Sequence, residues 1–288
     1  MSDRHGRLHT VRHERPAVTG SPAAFEPCGV ITLTTDFGAE GPFVAVMKGR
    51  ILSRFPNARL IDVTHDIPVH WPAEAGFWLA RAYQYFPTGS VHVAVVDPGV
   101  GTSRSILVVV GDGHAFLAPD NGLLAPVIAR LGDVDSFLLD ADRVLDLGLP
   151  PASATFHGRD IFAPFAAELA AGRMKPNELG PRASDVVPDW VDEPIVAAGQ
   201  VSGVVITVDH FGNLISNIDA AAIASLEAPS VRIGTHRLPL LRTYGDVEPG
   251  QYLALINSFG VVEIARAEQS AAESLGVGRG SPVVVTRG

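Results

Sequence analysis

Val91-His-Val-Ala-Val-Val-Asp-Pro-Gly-Val-Gly-Thr-Ser-Arg104 is a buried-type apolar strand that ends abruptly in a carboxylate, a glycine-rich loop and an arginine. Six β-prone residues carry the chain out of a core, and Pro98, Gly99 and Gly101 turn it. The turn returns Arg104 towards Asp97 at the carboxyl end of a strand, which is where ligands bind in open α/β sheets.

Outward from this stretch, strands and helices alternate. Strands are expected at 30 to 35, 59 to 63 and 91 to 96, with helices from about Pro42 to Phe55 and Pro72 to Tyr85. Pro42 and Pro72 suit first-turn positions, where a missing N–H costs nothing. The alternation predicts a mainly parallel sheet flanked by helices. Ile106 to Val110 and Ala115 to Ala118, split by Gly111-Asp-Gly113, read as a hairpin. A turn at Pro119-Asp-Asn-Gly122 leads into a helix ending near Arg130. A further helix is expected from Asp160 to Ala171, with an apolar stripe at Ile161, Phe162, Phe165 and Leu169. Beyond Gly199 come short strands at 200 to 208, 214 to 218, 230 to 233, 252 to 256, 261 to 265 and 282 to 286, with a short turn near Ala220 to Leu226. This reads as a smaller all-β, barrel-like domain. The expected organisation is a mobile extension over 1–28, an α/β domain over 29–172, a linker over 173–198 rich in Pro, Asp and Glu, and the all-β domain over 199–288, with ligand between domains.

Composition narrows the function. The 288 residues are 47% hydrophobic, enough for a sizeable core. A net charge of -9 without a Lys/Arg cluster argues against a nucleic-acid surface. Cys28 is the single cysteine, so no internal disulfide can form and a reducing cytoplasm is expected. No apolar run reaches membrane-spanning length, and the charged start lacks a secretory core.

Each candidate site residue has two readings. Asp36, ending Ile31-Thr-Leu-Thr-Thr-Asp-Phe-Gly38, either accepts two hydroxyls of a ribose or caps the next turn. Asp-Phe-Gly also occurs in protein kinases, but none of their accompanying motifs is present. Asp97 and Arg104 form either a functional pair or a solvent-exposed loop pair. In Phe156-His-Gly-Arg-Asp160, His157 faces a site while Asp160 caps a helix, or both are structural. Asp62, His65 and Asp66, with Asp36, Asp97, Asp120 and His157, would suit a divalent-metal hydrolase, yet no zinc or calcium motif spacing appears. Asp209-His-Phe-Gly-Asn213 either embraces a heterocycle, Phe211 stacking and Asn213 reading an edge, or is a tight turn. Asn257-Ser258 and Glu263 are weaker candidates, Glu263 because a carboxylate in an apolar strand needs a partner or solvent.

Taken together, Thr-Asp-Phe-Gly (35 to 38), Asp97 to Arg104, Phe156 to Asp160, Asp209 to Asn213 and Asn-Ser-Phe-Gly (257 to 260) closely resemble the S-adenosyl-L-methionine hydroxide adenosyltransferases, relatives of the fluorinase and chlorinase enzymes. The resemblance covers about residues 30 to 280. It implies hydrolysis of S-adenosyl-L-methionine to adenosine and L-methionine, with no cofactor or metal. Asp97, Arg104 and His157 match the family's water-positioning triad and Asp36 its ribose-binding aspartate. Asp209, Phe211, Asn213 and Ser258 match positions around the methionine and adenine moieties, and Glu263 and Ala271 complete the candidate substrate-binding set. Gln269-Ser-Ala271 stands where the family often has Gly-Asn-Ala. The related halogenases lose the Arg/His pair, so hydrolysis is favoured over halide transfer. The resemblance also implies a homotrimer with each site between subunits. The competing functions are a sensor that binds S-adenosyl-L-methionine or adenosine without turnover, a halogenase and a metal-dependent hydrolase.

Overall fold

The computed structural model describes residues 24–288. The N-terminal extension expected over 1–28 lies outside the described residues as far as position 23. Phe25 packs against a core, and the Cys28 N–H donates to the Gly89 carbonyl at 3.0 Å. The chain divides into two units, the first ending at Val191 and the second spanning Asp192–Gly288.

In the first unit the elements run β1 (Val30–Thr35), α1 (Phe43–Arg54), β2 (Arg59–Thr64), α2 (Pro72–Ala82), β3 (Val91–Val95), β4 (Ile106–Gly111), β5 (His114–Pro119), α3 (Ala125–Leu131), β6 (Asp135–Leu138) and α4 (Ala163–Ala170). Their sheet has the order β2-β1-β3-β5-β4-β6. The pairs β1/β2, β1/β3 and β3/β5 are parallel, and β4 runs antiparallel to both its neighbours. Alternation along β3 explains why it carries no polar face. Val91, Val93 and Val95 point into a core with α1 and α4, while Ala94 and Val96 point into another with α2 and α3. The β4/β5 hairpin turns through Asp112 and Gly113, both at positive φ (48° and 76°), the signature of a two-residue turn matched to strand twist.

The helix expected from Asp160 begins differently. Gly158–Phe162 is a π-helical turn in which the Ala163 N–H donates to the Gly158 carbonyl, and α4 follows. Pro164, at the start of α4, has no N–H to continue a tighter ladder. All of α4 is buried, including Glu168, which accepts from Arg54 Nε and Arg173 Nε, each at 2.6 Å. The first part of the expected linker lies along β6: Leu138 and Ala183 donate to the Pro181 and Ser136 carbonyls at 2.8 and 2.9 Å, and Leu179 is buried.

The second unit contains β7 (Ile195–Ala197), β8 (Gln200–Val208), β9 (Leu214–Asp219), α5 (Ala220–Ile223), β10 (Ser230–Ile233), β11 (His236–Leu241), β12 (Tyr252–Ile256), β13 (Val261–Arg266), α6 (Ala271–Leu275) and β14 (Pro282–Thr286). The order β14-β10-β11-β12-β13-β9-β8 closes through the β14/β8 pairing, so these strands form a barrel, with β7 added beside the first half of β8. Only β11/β12 is parallel; it forms over Leu240 and Leu241 alone, after Pro239. Val201, Val231, Ile264, Val283 and their neighbours fill the barrel interior.

Candidate functional site

Asp97 and Val100 follow β3, and the loop from there to Arg104 is short because Gly101 adopts φ 76°. Arg104 Nε donates to both Asp97 oxygens, at 3.1 Å to Oδ1 and 2.9 Å to Oδ2, and its Nη2 reaches Oδ2 at 2.5 Å. The two side chains are 11% and 5% exposed, which rules out the solvent-exposed loop pair. A two-point carboxylate grip of this kind fixes the guanidinium plane as well as its position. Arg104 Nη2 also lies 2.7 Å from His157 Nδ1. Guanidinium nitrogens only donate, so Nδ1 is the acceptor and the ring proton sits on Nε2. Burial and then the Arg104 charge push the His157 pKa below its ordinary value, against the opposing pull of Asp97. The three residues brought together by sequence reasoning thus form one hydrogen-bonded unit.

A cavity of about 290 Å³ opens beside it, lined by Asp36, His70, Asp97 and His157 and by an apolar wall. Asp36 Oδ2 accepts from the His70 backbone N–H at 3.0 Å, with His70 at φ 61°. The wall includes Phe37, Phe43 and Phe156, whose ring centroids lie 5.5 to 6.1 Å apart in tilted and edge contacts. Phe43 is 50% exposed. Phe43, Val69 and His70 escaped sequence reasoning. The only signal for the last two was the polar-apolar run Pro68-Val-His-Trp-Pro72 before a helix.

The other acidic candidates serve elsewhere. Asp62 pairs with Lys48 Nζ at 2.5 Å and with His65 Nε2 at 3.0 Å. Asp120 Oδ1 accepts from the Val187 N–H at 3.0 Å. Among the described residues, no group of three or more His, Cys, Asp or Glu is arranged to hold a metal ion, so the chelating set imagined for a metal hydrolase is not assembled.

In the second unit, Asp209 organises its own loop. Oδ1 accepts from the Phe211 and Asn213 N–H groups, each at 2.9 Å, and Oδ2 from Asn213 Nδ2 at 3.0 Å. The tight turn is therefore present, and it holds the Phe211 ring 74% exposed while burying Asn213. The Gly212 carbonyl accepts from the Ala272 N–H at 3.0 Å, which docks this loop on the start of α6. Ala271 is buried there, and Ser270 caps the helix through the Glu273 N–H. Glu263 is buried and accepts from Tyr244 Oη at 2.6 Å. Burial raises its pKa, opposed by hydrogen bonds from Tyr244 and the Asn257 side chain. Ser258 is exposed in the β12/β13 turn. Of the partners Glu263 required, Asn257 was a weaker candidate in the sequence, and Tyr244 was not singled out there.

Comparison with known proteins places this arrangement. Residues 31–180 match the SAM hydroxide adenosyltransferase N-terminal domain and residues 203–284 its C-terminal domain. An (R)-S-adenosyl-L-methionine hydrolase of Salinispora tropica is 41% identical over 91% of this chain and 99% of its own length. Another, from Thermus thermophilus, is 38% identical over 86% and 96%. The crystal structure of an uncharacterized conserved protein from Thermotoga maritima superposes with a TM-score of 0.82 at 33% identity, covering 89% of this chain and 100% of that one. With both domains matched in order and the first unit's Asp-Arg-His cluster assembled beside a cavity, the chain belongs to the SAM hydroxide adenosyltransferase family.

Proposed function

We propose that the protein hydrolyses S-adenosyl-L-methionine to adenosine and L-methionine by in-line attack of water on the ribose 5′ carbon. The observation that carries this reading is the Asp97–Arg104–His157 unit beside the cavity. Departure of methionine needs no acid, because the sulfonium leaves as a neutral thioether. What the reaction lacks in solution is an oxygen nucleophile held in line with the carbon–sulfur bond, and that is a problem of orientation.

A water entering beside the Arg104–His157 contact meets a cation and a basic nitrogen together. The guanidinium favours its hydroxide-like form, and neutral His157 accepts its proton at Nδ1, where the water takes the place of the Arg104 Nη2 donor, as the carbon–oxygen bond forms and the carbon–sulfur bond breaks. Asp97 holds the guanidinium still. Asp36 receives the ribose hydroxyls. In the barrel unit, Phe211 stacks on the adenine, while Asn213, Ser258 and the backbone near Ala271 take its edge and Asp209 and Glu263 shape the methionine end. The working form is a homotrimer in which a neighbouring copy supplies these barrel residues. The reaction needs no metal or other cofactor, involves neither nucleic acid nor membrane, and is assigned to the cytoplasm on the single cysteine of the chain.

Chromatography of protein incubated with S-adenosyl-L-methionine and chloride, with and without chelator, tests the reading. Adenosine and methionine in both reactions are expected. 5′-Chloro-5′-deoxyadenosine would make the protein a halogenase, loss of activity with chelator would make it a metal hydrolase, and a ligand-raised melting temperature without product would make it a sensor.

A further inference from the structure

The segment that presents His157 is held from below by an ion pair outside the reacting cluster. Asp160 Oδ2 accepts from the Ser153 backbone N–H at 2.9 Å and from Ser153 Oγ at 2.6 Å. Arg159 completes the carboxylate, with Nε on Oδ1 at 2.6 Å and Nη2 on Oδ2 at 2.8 Å. These four bonds hold the Asp160 carboxyl down to a pKa of about 2 against the cost of its burial. The carboxylate is therefore charged throughout the working range, and its hold on Ser153 does not come and go with pH.

Ser153 opens the segment that leads to His157, so the carboxylate that holds its N–H and hydroxyl fixes the start of that segment, while at its end Nδ1 accepts from Arg104. The same segment has a second fixed edge. Gly101 packs against the Ala154 carbonyl so closely that no Cβ fits between them, and this ties the 153–157 segment to the loop that carries Arg104. Asp160 lies within the π-helical turn Gly158–Phe162 that follows His157.

We propose that Asp160 is a positioning residue for the reaction: through Ser153 it fixes the backbone on which His157 stands, so that Nδ1 stays directed at Arg104 and the proton stays on Nε2. Asp160 does not touch the cavity. It acts by denying the imidazole its other tautomer, which would place an N–H against the Arg104 N–H groups, and its flipped orientation, which would place a ring C–H there; either separates the base from the cation.

The kinetic part of this assignment rests on the proposed hydrolysis, so the test carries a readout that does not. Protein labelled with ¹⁵N in histidine distinguishes Nδ1-protonated from Nε2-protonated rings by chemical shift, and His157→Gln identifies the signal. For Asp160→Ala, the expected result is a mixed or reversed His157 tautomer and a kcat lowered about 10- to 100-fold, the range for misplacement of a reacting group, with KM within about twofold. Asp160→Asn retains one acceptor for the Ser153 N–H and is expected to fall between the wild type and the alanine variant; it also serves if the alanine variant fails to fold. Either variant, folded, with the wild-type kcat and the wild-type His157 tautomer would overturn the proposal. If the wild-type protein does not hydrolyse S-adenosyl-L-methionine, the proposed function fails on its own, and the tautomer comparison still decides the role of Asp160.

Discussion

Arg104 links Asp97 to His157, so its replacement breaks two contacts at once. Arg104→Ala should lower turnover by at least ~100-fold, the usual scale for losing an electrostatic group at a reacting centre. Arg104→Lys should recover little, because one ammonium cannot grip the carboxylate at two points and reach Nδ1 together. Steady-state kinetics of both variants checks this, and near-wild-type turnover in either would remove the cluster from the chemistry. Asp36 lines the same cavity outside the cluster, so Asp36→Ala should weaken nucleoside binding while leaving a heat of reaction for the remaining contacts; unchanged adenosine affinity by calorimetry would refute its ribose role. The depressed His157 pKa sets a pH dependence. The ring is basic only when neutral, and it stays neutral below the ordinary histidine value of about 6.5, so the acidic limb of kcat/KM should lie below that pH. A limb at or above it would show that another group supplies the base. Asp97 and Arg104 were legible in the sequence because one local turn joins them. His157 came from a motif resemblance, since nothing local says that a residue 53 positions on returns to the same loop. Phe43, Val69 and His70 were not legible, because their meeting depends on how the loops after β1 and β2 converge.

The elements carry the same lesson through glycine and proline. Gly101 sits at φ 76° against the Ala154 carbonyl, so Gly101→Ala introduces both backbone strain and a clash. A loss of about 1–3 kcal/mol is expected from the positive φ alone, together with reduced turnover, because the displaced segment carries His157. Thermal melting and kinetics on the same preparation check it, and an unchanged melting temperature would mean that the loop shifts without cost. Strands with continuous apolar runs, such as β1, β3, β4 and β5, were readable because helices bury both of their faces. β11 was missed for the opposite reason. Its His-Arg-Leu-Pro start has neither alternation nor an N–H at Pro239, and it is a strand because β10 supplies partners over Ser230 to Ile233 and β12 over Ala254 and Leu255. The π-helical start of the 158–170 helix was also hidden, since Ile161, Phe162, Phe165 and Leu169 fit an ordinary apolar stripe. Barrel closure is a long-range pairing of β14 with β8, and no window of sequence contains both.

At the scale of the whole molecule, the first unit contains an acid-sensitive point at the centre of its sheet. His92 on β3 is fully buried, with Nδ1 2.8 Å from Thr32 Oγ1 on β1 and Nε2 3.1 Å from His114 Nδ1 on β5. Its ring stacks on Phe116 at 4.9 Å, and His114 meets the ring of Tyr83, whose hydroxyl donates to Asp112. Burial, and then the neighbouring His114, lower the His92 pKa to about 3. Unfolded, the same histidine takes up its proton near pH 6.5. Between those values the unfolded chain holds more protons than the folded one, so stability rises with pH across the window, is complete above it and is lost as pH falls. One such proton contributes a slope of about 1.36 kcal/mol per pH unit. Between pH 5 and 6 the carboxylates with lowered pKa, Asp62, Asp160 and Glu168, are ionised in both states, so histidines dominate the slope there. The three tryptophans, Trp71, Trp78 and Trp190, all fall in the first unit, which lets fluorescence follow that unit's urea unfolding separately from the barrel. The wild type should lose stability by at least one proton's slope over that interval, and His92→Gln, which keeps polar partners for Thr32 and His114 without titrating, should flatten it by about that amount. Equal slopes for the two proteins would mean that His92 is protonated in the folded sheet or that the sheet opens locally to let the proton in.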